Sequence, residues 1–177
     1  MTFFYVIIKK DSDHMNKKVI FIAITIILLT GFIIGLKYIK TYNVEGHSMN
    51  PTLIKDDKVI GISSKNLKRG DIIVFKKKEQ ERAIKRIIGL PGETINILED
   101  GTITINGEKL EESYISNKEI KRIEVEFPIT IPNGEYFVLG DNRQDSYDSK
   151  NIKIGNIKEE EIEAKLIFNL NSFKFYK

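Results

Sequence analysis

The chain contains no cysteine and only two histidines among its 177 residues. The absence of cysteine excludes disulfides, thiol nucleophiles and thiolate metal sites, and it leaves the redox compartment undetermined. The net charge of +3 is too small to indicate a nucleic-acid partner, although it is compatible with a protein at an anionic membrane surface. Apolar residues make up 41% and charged residues 30%, which is typical of a folded chain of one domain with an appendage.

A long apolar segment lies near the N-terminus. Residues 19–36 are eighteen consecutive uncharged positions, flanked by Lys17, Lys18 and Lys37. A helix of that length spans about 27 Å, which is just enough to cross the hydrocarbon core of a bilayer. No small-x-small cleavage pattern follows it, so we interpret the segment as a permanent anchor and not as a removable signal sequence.

The distribution of lysines weakly favours a cytoplasmic N-terminus. The lysines before and after the anchor are Lys9, Lys10, Lys17 and Lys18, against Lys37, Lys40 and Lys55. Residues 1–14 are expected to be an over-extended start or a dispensable tail, because Met15 begins a sequence typical of a membrane anchor. The chain is therefore predicted to comprise a cytoplasmic tail over 1–18, an anchor over 19–36, a linker over 37–43 and an extracytoplasmic domain over 44–177.

The remainder of the chain consists of short stretches of alternating apolar and polar residues separated by turn signals. This pattern predicts an all-β domain of antiparallel sheets, preceded by one transmembrane helix. The predicted strands are 71–75, 83–88, 94–98, 102–105, 109–115, 123–127 and 136–139. Asp100-Gly101 predicts a tight hairpin turn. Residues 159–168 are compatible with a short helix or with a last strand.

Ser48 follows the anchor closely, and a serine needs a base before it can act as a nucleophile. His14 lies on the other side of the anchor. His47 is the immediate neighbour of Ser48, so its side chain points to the opposite face of an extended segment. A carboxylate or a lysine remains, and Lys85 is the leading candidate because it lies among isoleucines, where desolvation would lower its pKa. The periodicity of the sequence does not exclude the alternative, a surface lysine.

A dense polar cluster occupies residues 140–150. Asp141 and Asp145 have the spacing of the first and fifth ligands of a calcium loop. Arg143 and Ser146, however, occupy the positions at which such a loop requires a ligand and a glycine. We therefore predict no metal site here. The cluster is better suited to orienting a catalytic amine through hydrogen bonds.

Four segments of the chain resemble, in order, the sequence boxes of the type I signal peptidase family, with the anchor directly before the first. The segments are 44–52, 70–75, 85–93 and 140–150. The short interval between the last two resembles the compact Gram-positive members. The resemblance implies a Ser-Lys dyad with Ser48 as nucleophile and Lys85 as general base, and it implies that Ser146 hydrogen-bonds the lysine.

The resemblance also implies roles for residues around the dyad. Gly46, Met49 and Ile84 are expected to bind substrate. Gly46 stands where some members carry a serine that supports the oxyanion, so the nucleophile's backbone N–H would need another donor or a water. The implied supporting residues are Asp141, Asn142, Arg143, Asp148 and Lys150. Lys150 replaces a usual arginine and cannot form a bidentate fork with Asp148, so a weaker pair is expected.

The implied function is that of a membrane-anchored serine endopeptidase that cleaves N-terminal signal peptides from exported preproteins. Its substrates would bind as an extended strand and carry small side chains at the first and third positions before the cut. The expected location is the cell membrane, with a single pass and an extracytoplasmic peptidase domain. The lipid bilayer is the second expected partner, whereas no cofactor and no nucleic acid are expected. Two alternatives remain open: a non-catalytic assembly or chaperone factor, and a dedicated processing peptidase for few substrates.

Overall fold

The computed structural model divides the chain into two compact units, residues 1–39 and 40–177. The structure describes residues 2–36, 38–77, 81–121 and 123–176, and within the helix it describes the side chains of 16–33 and 35. The predicted turn over 76–82 therefore lies partly outside the described residues.

The first unit is dominated by one helix, α1, over Thr2–Leu36. By length and composition, the stretch Asn16–Ile33 of this helix is apolar enough to cross a membrane, since its mean hydropathy is 1.8. None of the residues in this stretch is buried. The hydroxyls of Thr25 and Thr30 donate to backbone carbonyls four residues earlier, at 2.9 and 2.7 Å. These bonds satisfy the polar atoms inside the helix, as an apolar surrounding requires. The helix also includes residues that we interpreted as a tail, and its membrane location remains a prediction.

The second unit consists of two antiparallel sheets, which confirms the predicted fold class. The strands are β1 Ile39–Asn43, β2 Lys58–Ile62, β3 Ile72–Phe75, β4 Ala83–Gly89, β5 Thr94–Ile97, β6 Ile103–Ile105, β7 Glu108–Lys109, β8 Ile129–Thr130, β9 Glu135–Leu139, β10 Ile157–Lys158, β11 Ile162–Asn169 and β12 Lys174–Phe175. The larger sheet has the order β1-β2-β11-β3-β4-β9-β10, with β12 beside β11, and the smaller has the order β7-β6-β5-β8.

Most predicted strands form within one or two residues of their expected bounds. The hairpin between β5 and β6 turns at Gly101, whose φ of 80° lies in the left-handed region that favours glycine. Residues 159–168 form both of the elements considered, a 3-10 turn over Glu159–Glu161 followed by β11. Part of the predicted linker, residues 39–43, is strand β1.

Two strand predictions are wrong. Residues 109–115 contribute only the end of the two-residue β7, and residues 123–127 form no strand. The chain from 110 to 128 instead attaches to the smaller sheet through single apolar side chains. These are Leu110, Tyr114, Ile120 and Phe127, which pack on the cluster formed by the inner faces of β5, β6 and β9. These four side chains bury the apolar positions of the segment one by one, so the segment packs on the sheet without forming a strand of its own.

A second apolar cluster lies beneath the loop between β1 and β2. Val44, Met49 and Leu53 from this loop pack with residues of β2, β3 and β11 and are 4%, 1% and 0% exposed. Burying such side chains stabilises the fold by about 1.5–3 kcal/mol each. The loop that carries Ser48 is therefore fixed by the core on both sides of the serine.

Candidate active site

Ser48 lies in the loop between β1 and β2, and backbone hydrogen bonds hold the loop closed. The N–H of Val44 donates to the carbonyl of Asp57 at 2.9 Å, and the N–H of Leu53 donates to the carbonyl of Met49 at 2.9 Å. Because Met49 is buried, the half-buried Ser48 is presented at the edge of the core by its own neighbour.

The structure brings Lys85 to Ser48 across 37 positions of sequence. Strand β4 carries Lys85, whose Nζ donates to Ser48 Oγ at 2.7 Å and to the carbonyl of Ile84 at 3.1 Å. Lys85 is 5% exposed, so the alternative of a surface lysine is wrong. His47 is exposed, and its carbonyl, not its ring, is engaged, by Asn142 Nδ2 at 3.2 Å.

The environment of Lys85 favours its neutral form. Burial lowers the pKa of Lys85 from 10.5 to about 8; the carboxylates of Asp148 and Asp141 oppose this shift, and the nearby Lys150 ammonium adds to it. At pH 7 such a pKa raises the share of neutral amine about 300-fold over that of an ordinary lysine. A neutral amine beside a serine hydroxyl is the state required of a general base.

Ser146, Asp148 and Lys150 form one buried cluster beside the dyad. Asp148 accepts hydrogen bonds from Ser146 Oγ at 2.5 Å, from the N–H of Gly140 at 2.9 Å and from Lys150 Nζ at 2.9 Å. Lys150 Nζ also donates to the carbonyl of Ser146 at 2.6 Å. The ion pair between Lys150 and Asp148 is thus made through a single nitrogen, because lysine cannot form a bidentate fork. Both side chains of this pair are fully buried. The hydroxyl of Ser146 donates to Asp148 and not to Lys85, so its expected bond to the lysine remains a prediction.

Gly140 allows this cluster to approach the nucleophile. A Cβ added to Gly140 would clash with Ser146 Oγ and with the backbone carbonyl of Ser48. The N–H of Asn142 donates to that same Ser48 carbonyl at 2.9 Å. Only glycine permits such a close approach of two backbones. Residues 140–142 therefore pack directly against the backbone of Ser48.

Two arginines with bidentate partners enclose the loop over 140–150. Arg86 donates through Nε and Nη2 to the two carboxylate oxygens of Asp141, at 2.8 and 2.6 Å. Arg143 donates through Nη1 and Nη2 to the carboxylate of Glu112, at 3.0 and 2.5 Å. All four side chains are at most 9% exposed. Such forked, charge-assisted pairs fix both distance and orientation.

A cleft of about 990 Å³ opens beside the dyad. The predicted substrate-binding residues Gly46, Met49 and Ile84 all line it, together with Ser48 and Lys85. Other lining residues that the sequence did not single out are Tyr42, Val44, Val74, Arg82 and Ala83. The cleft combines a serine hydroxyl and a buried amine with both apolar and charged lining residues.

A family model described as signal peptidase, peptidase S26, matches residues 16–170, which include both dyad residues and all supporting residues named above. The chain belongs to this family. Signal peptidase I P of Bacillus subtilis subsp. natto is 38% identical over 159 residues, which cover 82% of each chain. Signal peptidase IB of Staphylococcus aureus strain Mu50 is 33% identical over 178 residues, which cover 90% of this chain and 91% of the relative.

A solved structure gives the same result for the fold. The crystal structure of a signal peptidase I from Enterococcus faecalis V583 matches with a TM-score of 0.51 and 37% identity, covering 59% of this chain and 99% of the crystallised one. This chain is therefore a type I signal peptidase of the S26 family by sequence and by fold.

Sequence reasoning missed three residues that support the signal peptidase loop. The sequence alone did not single out Arg86, Glu112 or Tyr114. The guanidinium of Arg86 lies 4.0 Å above the ring of Tyr114, and the Tyr114 hydroxyl donates to Glu112 at 2.6 Å. Their partners lie far apart in the sequence, since Arg86 pairs with Asp141 and Glu112 pairs with Arg143, so no local pattern marks them.

Proposed function

We propose that this chain cleaves signal peptides from preproteins by covalent serine catalysis, with Ser48 as nucleophile and Lys85 as general base. Membership of the signal peptidase family supports the coarse activity, the removal of signal peptides from preproteins. The observation that supports the dyad is the 2.7 Å hydrogen bond between Lys85 Nζ and Ser48 Oγ, made by an amine whose pKa burial lowers to about 8.

In the acylation step the neutral amine of Lys85 accepts the hydroxyl proton of Ser48 as Oγ attacks the scissile carbonyl carbon. The tetrahedral intermediate collapses when the C–N bond breaks and Lys85 returns the proton to the leaving amine. An ester between Ser48 and the signal peptide remains. In deacylation Lys85 takes a proton from water, the hydroxide attacks the ester, and Ser48 Oγ leaves with the proton that Lys85 gives back.

The oxyanion needs donors that are free in the resting enzyme. In the described part of the chain the N–H of Ser48 makes no backbone hydrogen bond, so it is available to the developing charge. Gly46 has open space around its Cα and no side chain to contribute a second donor. We therefore assign the first donor to Ser48 and the second to a water held in the cleft near Gly46.

The edge of β4 offers a place for an extended substrate. Residues 83–86 of β4 pair with β3, whereas pairing with β9 begins only at Arg86. Among the described strands, none pairs with the second edge of Ala83–Lys85, and these residues line the cleft. A peptide could add a strand at this edge and place its scissile carbonyl at Ser48. Shallow walls formed by Val44 and Ile84 would then select small side chains at the first and third positions before the cut.

We assign α1 as the anchor that confines the enzyme to the bilayer, with the N-terminus cytoplasmic and the peptidase domain on the outer side. Confinement to one surface raises the effective concentration of membrane-bound preproteins without any new contact. Protection of the N-terminus, but not of the β domain, from protease added outside intact cells tests this orientation. Accessibility of an N-terminal tag would contradict it.

The decisive test is cleavage of a preprotein by the full chain in detergent or vesicles. Ser48→Ala and Lys85→Met are expected to reduce kcat by about 10³-fold or more, as in other serine enzymes that lose a member of the catalytic pair. Ser116→Ala and Lys153→Met are matched controls, because both side chains are exposed. Undiminished cleavage by either dyad variant would refute the assignment. Absence of cleavage by the wild type would favour the non-catalytic assembly factor.

A further inference from the structure

A short segment, residues 110–114, is one of the connections between the loop over 140–150 and the smaller sheet. Leu110 and Tyr114 pack on the apolar cluster of the smaller sheet, and the N–H of Leu110 donates to the carbonyl of Ile103 at 2.9 Å. Glu112, halfway between these two anchors, has a side chain only 5% exposed. The segment therefore presents one buried carboxylate from a firmly attached backbone.

Both oxygens of the Glu112 carboxylate accept hydrogen bonds, and the donors belong to two residues. Arg143 donates to both of its oxygens, and the Tyr114 hydroxyl donates to Oε1 at 2.6 Å. Burial, followed by the charge of Glu112, raises the pKa of Tyr114, so the hydroxyl remains a donor at working pH. The Tyr114 ring in turn lies under Arg86, the residue after Lys85.

Arg143 links the carboxylate of Glu112 to the backbone around Gly140 and Ser48. Its Nε donates to the carbonyl of Gly140 at 3.1 Å, and Gly140 is in contact distance of both Ser146 and the carbonyl of Ser48. Asn142, one residue before Arg143, donates its N–H to that same Ser48 carbonyl at 2.9 Å. A displacement of Arg143 would therefore move the backbone that packs against the nucleophile.

We propose that Glu112, supported by Tyr114, is a positioning residue for the Ser48–Lys85 pair: it holds Arg143 so that residues 140–142 press against Ser48 and exclude water from Lys85. This inference rests on the proposed function for its kinetic consequence. Its structural content, a dry and aligned Lys85, is independent of whether the chain cleaves preproteins.

The charge-conserving variant Glu112→Asp tests the inference, because a side chain shorter by one methylene cannot reach Arg143 through both oxygens and also Tyr114. The groups that act on the charge of Lys85 are Asp148, Asp141 and Lys150, and the variant alters none of them. We expect kcat to fall at least about 5-fold. We also expect the midpoint of the acidic limb of kcat/KM to move to higher pH, because water that reaches Lys85 removes the main cause of its low pKa.

Glu111→Asp is the matched control, since Glu111 is the adjacent residue and its side chain is 79% exposed. It is expected to retain wild-type kcat and midpoint. A merely structural role of Glu112 would reduce the amount of active enzyme but leave the midpoint unchanged, so an unchanged midpoint in folded Glu112→Asp overturns the proposal. If Glu112→Asp does not fold, Tyr114→Phe replaces it in the same measurement. This variant keeps the ring under Arg86 and removes one hydrogen-bond donor to Glu112. An unchanged midpoint in Tyr114→Phe then overturns the proposal.

A second measurement separates this inference from the proposed function. The pH dependence of Lys85 acetylation by acetic anhydride, followed by mass spectrometry in the Ser48→Ala background of the full chain, reports the amine without any peptidase activity. The labelling midpoint should rise when Glu112→Asp is added and should not change with Glu111→Asp. If the wild type does not cleave preproteins, the proposed function fails while the labelling still decides on Glu112. If labelling is the same in all three chains, Glu112 does not position the site.

Discussion

Lys85→Met should make the folded domain more stable at neutral pH while it abolishes activity. Lowering the pKa of a lysine from 10.5 to about 8 costs about 3 kcal/mol at any pH below 8. The folded state binds fewer protons than the unfolded state between these two values, so stability rises with pH through this window and the cost vanishes above about 10.5. Methionine is a similarly long and uncharged side chain, and it removes the cost at the loss of two hydrogen bonds, to Ser48 and to the carbonyl of Ile84.

The assay is chemical unfolding of the full chain at pH 7 and at pH 10, followed by near-ultraviolet circular dichroism of the tyrosines. Lys85→Met should exceed the wild type by about 1–2 kcal/mol at pH 7, after about 1 kcal/mol is subtracted for each of the two lost hydrogen bonds. At pH 10 the variant should no longer be more stable than the wild type, because most of the cost of the lowered pKa has vanished there. The exposed Lys153→Met should show no difference at either pH. Equal or lower stability of Lys85→Met at pH 7 would refute the argument that burial sets the pKa of this amine.

Three further predictions concern the same site. The kcat/KM of the wild type should rise about tenfold between pH 6 and pH 7 and reach a plateau above about pH 9; a rise that continues to pH 10 would mean that Lys85 has an ordinary pKa. Gly140→Ala should lower kcat for preprotein cleavage by at least about 100-fold, because the added Cβ would clash with the side chain of Ser146. A wild-type kcat in this variant would contradict the close packing of Gly140 against Ser146. Lys150→Met should lower the free energy of unfolding by about 3–5 kcal/mol, since Asp148 would remain buried without its cation; a loss below 1 kcal/mol in urea would show that other donors suffice.

The burial of Lys85 was predictable because its signals are local, whereas the catalytic roles of Lys85 and Ser48 stay a prediction. Ser48 follows an apolar segment, and Lys85 lies in a strand-like run of isoleucines, so burial of the amine could be expected before any contact was known. The antiparallel sheets were predictable for the same reason, since alternation and turn residues act within a few positions.

The segment over 123–127 shows why alternation alone is insufficient. Ile123, Val125 and Phe127 alternate as in a strand, yet Ile123 is 45% exposed and the N–H of Glu124 donates to the carbonyl of Lys150 at 2.9 Å. A strand needs a partner edge, and here the backbone is engaged by the loop of the active site. Such competition between partners is decided by the whole fold and is invisible in a window of five residues.

Glu112 was not predictable for a different reason. Glu111 and Glu112 are identical in type and adjacent, but one is exposed and the other is buried against Arg143. The difference depends on which side of the segment faces the loop over 140–150, and this is set by the anchors Leu110 and Tyr114. Buried ion pairs between distant segments therefore have to be read from the structure.

The unpaired edge of β4 is short, and its shortness limits how tightly any peptide can remain bound. Among the described strands, the second edge of β4 is open only over Ala83–Lys85, because pairing with β9 begins at Arg86. The carbonyl of Ile84 already accepts a bond from Lys85. If a peptide binds there as proposed, it gains few backbone hydrogen bonds, each of about 0.5–1.5 kcal/mol, and we expect a severed signal peptide to dissociate readily instead of inhibiting the enzyme. The same brevity protects the domain from edge-to-edge aggregation, a hazard that longer open edges present.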